Sequence, residues 1–164
     1  MLCAKRVLFV GLLSVALLGA APRSLRDPYL SLLVGTWSVD GRVAGARTHQ
    51  IAVGRWVLDH NFLLLHFAGS YEADVYIGYD VERHRYVEHW LDIFGGSGAT
   101  AVGFGTKRDD SLTIRFDYAD GPFRNTMRYD ALHRGWEIHY ASLRGNGEWQ
   151  SFGDQRLTPA NPAR

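Results

Sequence analysis

From residue 36 onward, apolar and polar residues alternate along the chain in short segments. Gly, Asp, Asn and Pro interrupt them, and no stretch keeps a 3.6-residue period. Strict alternation marks strands with one buried face. The pattern predicts about ten strands, near residues 36–43, 47–53, 55–67, 73–80, 85–92, 99–106, 111–118, 123–131, 136–144 and 148–157. The connections, among them "DVERHR", "FGGSG", "KRDD", "ADGP", "LHRG" and "RGNG", are short. Sequence neighbours are therefore expected to be antiparallel neighbours in space. A twisted meander of this size with one apolar face curls and closes, because closure removes its edges. The expected fold class is all-β: an antiparallel up-and-down meander barrel of about ten strands, with one short N-terminal helix.

Two hairpins test this pattern against chemistry. Asn146-Gly147 is a strong signal for a two-residue type I′ turn. Centring the turn there sets Glu137 opposite Arg156 and His139 opposite Asp154, and turns Trp136, Ile138 and Tyr140 to the other face. In the second hairpin, Pro122 lacks the N–H that a tight turn about Asp120-Gly121 would use, so a four-residue "ADGP" loop is expected. Asp117 then faces Arg124 and Thr113 faces Arg128. Leu112, Ile114, Phe116 and Tyr118 share the opposite face with Asn125, Met127 and Tyr129. Both hairpins sort into a charged outside and an aromatic inside.

The chain before residue 36 follows other rules. "MLCAKR" is basic, "VLFVGLLSVALLGA" is unbroken apolar sequence, and the run ends in small residues. This pattern is that of a secretory signal peptide over residues 1–20, with residues 21–164 as the exported domain. The apolar run is shorter than the roughly 20 residues of a comfortable membrane span, so no stable membrane insertion is expected once it is cleaved. Export would place the protein in the periplasm or outside the cell. It would also remove Cys3, the only cysteine, and with it any disulfide or thiolate chemistry. Residues 24–34, "SLRDPYLSLLV", hold the one helix expected. Ser24 or Asp27 would cap it, Pro28 suits its first position, and Gly35 would end it.

A short helix, then Gly35-Thr36-Trp37 on the first strand, then a meander ending near Arg156, resembles the calycin superfamily of lipocalins, fatty-acid-binding proteins and avidins. The stretches "GRWVLDH", "YIGYDVERHRYVEHWLD" and "RLTP" further resemble a bacterial lipocalin-like family, the domain of unknown function numbered fifteen-seventy-nine. The resemblance implies that Trp37 closes one end of the barrel behind Gly35 and that a basic residue near the last strand, here Arg156, packs across it. That position conflicts with the outward Arg156 of the hairpin register. Haem-holding relatives in the superfamily use one histidine near the chain end. The last histidine here, His139, falls on an outward face, so no haem or other cofactor is expected.

Composition narrows the chemistry. The full chain carries 18 basic and 17 acidic residues; loss of Lys5 and Arg6 leaves 16 against 17, a net charge near −1. Signs alternate without runs, which argues against nucleic acid as a partner. The seven histidines, His49, His60, His66, His84, His89, His133 and His139, show no spacing that brings ligands to about 2 Å from one ion, so no metal site is assigned. "GGSGA", Gly95 to Ala99, approaches a nucleophile elbow, but a strand rather than a helix follows it.

Aromatic residues make up 13% of the chain. Trp56, Tyr79, Trp90, Asp92, Phe116, Met127, Trp136 and Tyr140 are the candidate ligand-binding residues. The strand at 85–92 leaves its inward face open. Hydrophobicity turns Val87, His89 and Leu91 inward, whereas the resemblance singles out Trp90 and Asp92. With the second face inward, Glu88 and Asp92 would lie beside an indole in an apolar barrel, where burial raises carboxyl pKa values. The expected function is binding of a small apolar or aromatic ligand, without chemistry and with no catalytic residue assigned. One alternative is a calycin-type isomerase or cyclase using an interior carboxylate. The other is a plugged barrel serving a structural or interaction role in the envelope. The sequence leaves the oligomeric state open.

Overall fold

The computed structural model describes residues 27–95 and 102–160. The signal-peptide assignment, Ser24, and most of "GGSGA" fall outside them. A short helix, α1 (Pro28–Ser31), precedes ten strands: β1 (Gly35–Val43), β2 (Ala46–Val57), β3 (Phe62–Ala68), β4 (Ala73–Asp80), β5 (Arg85–Asp92), β6 (Val102–Arg108), β7 (Ser111–Tyr118), β8 (Gly121–Asp130), β9 (Gly135–Leu143) and β10 (Trp149–Pro159). Each pairs antiparallel with the next, and β1 also pairs with β10 from Trp37↔Pro159 to Val43↔Gly153, closing the barrel. The all-β meander expected from the alternation is the fold observed.

Three local expectations are corrected. The strands expected at 47–53 and 55–67 run instead as Ala46–Val57 and Phe62–Ala68. The chain turns at Leu58, Asp59 and His60, all at positive φ, and Asn61 Nδ2 donates to Leu58 O at 3.1 Å. Gly54 stays inside β2. A Cβ there would lie 1.9 Å from Leu33 O, so this glycine makes room for α1 rather than breaking the strand.

The β7–β8 hairpin is two residues tighter than expected. Tyr118 pairs with Gly121, Asp117 with Pro122 and Arg115 with Arg124, leaving Ala119-Asp120 as the loop. Pro122 is tolerated because the pair next to the closing pair of a two-residue hairpin is non-hydrogen-bonded and asks for no N–H. A two-residue shift preserves facing, so Leu112, Ile114, Phe116, Asn125 and Met127 remain inside.

The β9–β10 hairpin reaches the expected pairs by a different route. Glu137 faces Arg156 and His139 faces Asp154, but nearer the turn Leu143 faces Trp149, and a bulge between Ser151 and Gly153 absorbs the offset. Gly147 takes φ 83°. Asn146 supplies side-chain bonds instead of a left-handed backbone: its Oδ1 accepts from Glu148 N at 3.0 Å and its Nδ2 donates to Glu148 Oε2 at 2.9 Å.

α1 plugs one end of the barrel. Asp27 caps it, accepting from Tyr29 N at 2.8 Å and Leu30 N at 3.0 Å through Oδ1, while its Oδ2 accepts from Tyr86 Oη on β5 at 2.7 Å. Gly35, at φ 141°, redirects the backbone into β1. The orphan carbonyls after the helix are taken by two indoles: Trp37 Nε1 donates to Leu33 O at 2.9 Å and Trp136 Nε1 to Leu32 O at 3.3 Å. Tyr29 packs edge-on against Trp136 and donates to Met127 O at 2.8 Å. Leu30, Leu33, Val39, Leu63, Ile77, Leu112 and Leu157 are fully buried in the core. Each aliphatic side chain so buried is worth about 1.5–3 kcal/mol.

Arg156 takes no part in this floor. It projects from the outer face of β10 and donates to Glu137 Oε1 at 2.6 Å, while Arg128 binds the other oxygen of Glu137. The two guanidinium groups hold Glu137 below the usual carboxylate range. The basic partner that the calycin resemblance implied for Trp37 is replaced by the backbone carbonyl of Leu33, just past the helix.

Candidate functional site

The half of the barrel opposite α1 is built differently. β5 presents Tyr86, Glu88 and Trp90 inward, so the face set by strict hydrophobicity, Val87, His89 and Leu91, is the outer one. Phe67 of β3 stacks on Trp90 at 5.8 Å, and Tyr140 of β9 meets Trp90 edge-on at 6.2 Å. Phe123 of β8 links Tyr140, at 6.3 Å, to Tyr118 of β7, at 6.1 Å, and Tyr118 stacks on Phe116 at 5.4 Å. These rings form a collar. Its outer members Trp90, Tyr118 and Phe123 are only partly buried, whereas Phe67 and Phe116 are sealed. Tyr71, from the β3–β4 loop, sits at the rim. Its hydroxyl accepts from Trp90 Nε1 at 2.7 Å and donates to Asp92 Oδ2 at 2.8 Å. Burial pushes the Tyr71 hydroxyl well above its ordinary pKa, so it remains a donor at any physiological pH.

Polar side chains lie beneath the collar. Gln155 of β10 accepts from Tyr140 Oη at 2.9 Å and donates to Thr48 Oγ1 at 3.1 Å, which satisfies both. Glu88 is different. It is 1% exposed, and its one hydrogen bond is from Asn125 Nδ2 to Oε1 at 2.7 Å. Glu88 Oε2 and Asn125 Oδ1 are buried with no partner. Desolvation raises the Glu88 carboxyl to about 7, with the Asn125 bond pulling the other way. Its charge in turn raises Tyr118 and Tyr140, although burial is the larger cause for both.

The eight candidate ligand-binding residues divide between the two halves. Trp90, Asp92, Phe116 and Tyr140 lie at the collar. Trp136 and Met127 belong to the floor with Tyr29. Tyr79 packs on Tyr86 at 5.0 Å, and half-buried Trp56 lies 6.4 Å from the His60 ring, so neither reaches the collar. Aromatic content alone could not separate the halves, because both are aromatic. Asn125 and Gln155 were the missed signal: each is a polar residue at an inward position of an otherwise apolar strand face.

The outer wall carries two grooves, of about 430 and 650 Å³, around Asp40, Gly41 and Asp154. Several of their charged groups pair with one another: His139 Nδ1 lies 2.6 Å from Asp154 and His49 Nδ1 lies 2.7 Å from Asp40. Among the described residues no three His, Cys, Asp or Glu side chains converge to hold a metal ion. No family model matches the chain, and no curated protein matches it.

Proposed function

We propose that the chain is an exported, lipocalin-like barrel that takes a small apolar or aromatic molecule among the collar rings and anchors it on Glu88 and Asn125. The observation that carries this reading is the buried pair of unpartnered atoms, Glu88 Oε2 and Asn125 Oδ1, directly below a partly exposed aromatic ring cluster. Each buried polar atom left unpaired costs about 1–3 kcal/mol. Folding gains nothing from placing a carboxylate there, and a ligand that completes the bonding recovers that cost. The collar rings touch one another, so a bound molecule must displace some of them. The basic-then-apolar start of the chain supports export, and the closed meander with a helix-plugged end supports the lipocalin-like assignment.

Titration with N-phenyl-1-naphthylamine, a neutral apolar fluorophore, tests the reading. A saturable one-site enhancement is expected, retained in Leu132→Ser, which removes an exposed apolar side chain from the β8–β9 turn, and altered in Asn125→Leu. Absence of saturable binding would sink the proposal. A second reading, an isomerase with Glu88 as proton acceptor, is favoured by the same raised pKa, which suits a base working near neutrality. It differs from the first in requiring turnover of the bound molecule.

A further inference from the structure

We infer that the ligand of this site is a small organic amine, bound as its ammonium ion with N–H groups donated to Glu88 Oε2 and Asn125 Oδ1 and its apolar body among the collar rings. The inference deepens the binding reading above and rests on it. Three features select the chemical class. With Glu88 ionised both unpartnered atoms are acceptors, so the partner they lack is a donor with at least two N–H or O–H bonds. Among the described residues, the buried polar side chains are Gln50, Glu88, Asn125 and Gln155, one carboxylate and no cation. An anionic ligand would therefore meet a like charge in a low dielectric with nothing to offset it. The surrounding faces are those of Trp90, Tyr140, Tyr118 and Phe116, whose π clouds attract a positive charge.

An ammonium ion also answers the cost of Glu88. Isolated in this interior, the carboxylate is expensive to ionise; beside a cation it ionises readily. The groups facing it are Asn125 of β8, Tyr118 of β7, Tyr140 of β9 and, toward the rim, Tyr71 and Asp92. The tyrosines stay neutral through the working range, Tyr118 being pushed up to about 12 and Tyr140 further. Among the buried polar side chains of the described residues, Glu88 is thus the one whose charge changes near neutrality, and amine affinity should strengthen as pH rises through about 7.

Calorimetric titration with 2-phenylethylamine, 2-phenylethanol and 3-phenylpropanoate tests this, because the three share size and ring and differ in charge. At about pH 8 the amine should bind about tenfold or more tighter than the alcohol, and the acid should not bind. Glu88→Gln, which keeps the shape, should erase the preference for the amine while leaving the alcohol within a few-fold. In the wild type, lowering the pH to about 5.5 should weaken the amine and leave the alcohol unchanged, a readout that needs no variant. Tighter binding of the alcohol or the acid, or an amine preference that survives both Glu88→Gln and acidification, overturns the inference. If none of the three binds while N-phenyl-1-naphthylamine still saturates, the amine assignment fails and the binding barrel survives. If neither binds, both fail.

Discussion

Replacing Glu88 by Gln should make the ligand-free protein more stable, and only at the alkaline end of its range. The carboxyl's ordinary pKa of 4.5 rises to about 7 in the fold because burial disfavours its charge. The native state therefore holds a proton that the unfolded chain releases between those values. Stability is full below the window and falls as pH rises through it. Each unit is worth 1.36 kcal/mol, so the penalty fully developed above the native pKa is about 3 kcal/mol. The neutral amide introduced by Glu88→Gln carries no such penalty. It can accept from Asn125 Nδ2 as the carboxylate does and can also donate to Asn125 Oδ1, which the ionised wild type leaves unpartnered. Urea unfolding followed by far-ultraviolet circular dichroism, at about pH 5 and about pH 8.5, gives the comparison, and the difference between variant and wild type cancels every other carboxylate. The stabilisation should grow by about 2–3 kcal/mol from the acidic to the alkaline condition. A difference that does not change with pH, or a variant destabilised at the alkaline condition, would refute the account of Glu88 as a buried, under-satisfied acid.

Other consequences concern the floor and the wall. Trp37→Phe removes the bond to Leu33 O and should cost about 1–3 kcal/mol in urea unfolding; an unchanged midpoint would show that the indole N–H does not hold α1. Gly54→Ala forces a Cβ to within 1.9 Å of Leu33 O, and should lower stability by about 1–3 kcal/mol with a red shift of tryptophan emission as α1 lifts. Gly145→Ala, where a Cβ meets nothing within 4 Å, serves as the neutral control. Arg156→Ala breaks an exposed pair, leaves Glu137 its bond to Arg128, and should cost at most about 1 kcal/mol without altering near-ultraviolet dichroism; a large loss of tertiary signal would restore Arg156 to the floor.

The barrel was legible because alternation and short turns are local. A strand's period of two survives errors of turn geometry, which is why Asn125 and Met127 face inward although the β7–β8 hairpin is two residues tighter than the turn residues suggested. The same periodicity hid the site. Hydrophobicity assigns Val87, His89 and Leu91 to the core, and the structure puts Glu88 there. A polar side chain in the interior breaks the rule that reveals the fold, and one strand's pattern cannot show which face its neighbours bury. The floor was half legible: Gly35 and Trp37 marked its place, but the Leu33 carbonyl that receives the indole is a backbone atom and leaves no trace in the sequence. The offsetting bulge between Ser151 and Gly153 was equally silent, since a chain can reach the pair Glu137–Arg156 by either route.

The most direct test of a ligand-binding barrel anchored on Glu88 is the side-chain carboxyl ¹³C resonance of that residue, followed through a pH titration with and without 2-phenylethylamine. The account predicts a midpoint near 7 for the free protein and a clear fall in that midpoint when the amine is present. A midpoint in the ordinary carboxylate range that the amine does not move would contradict it.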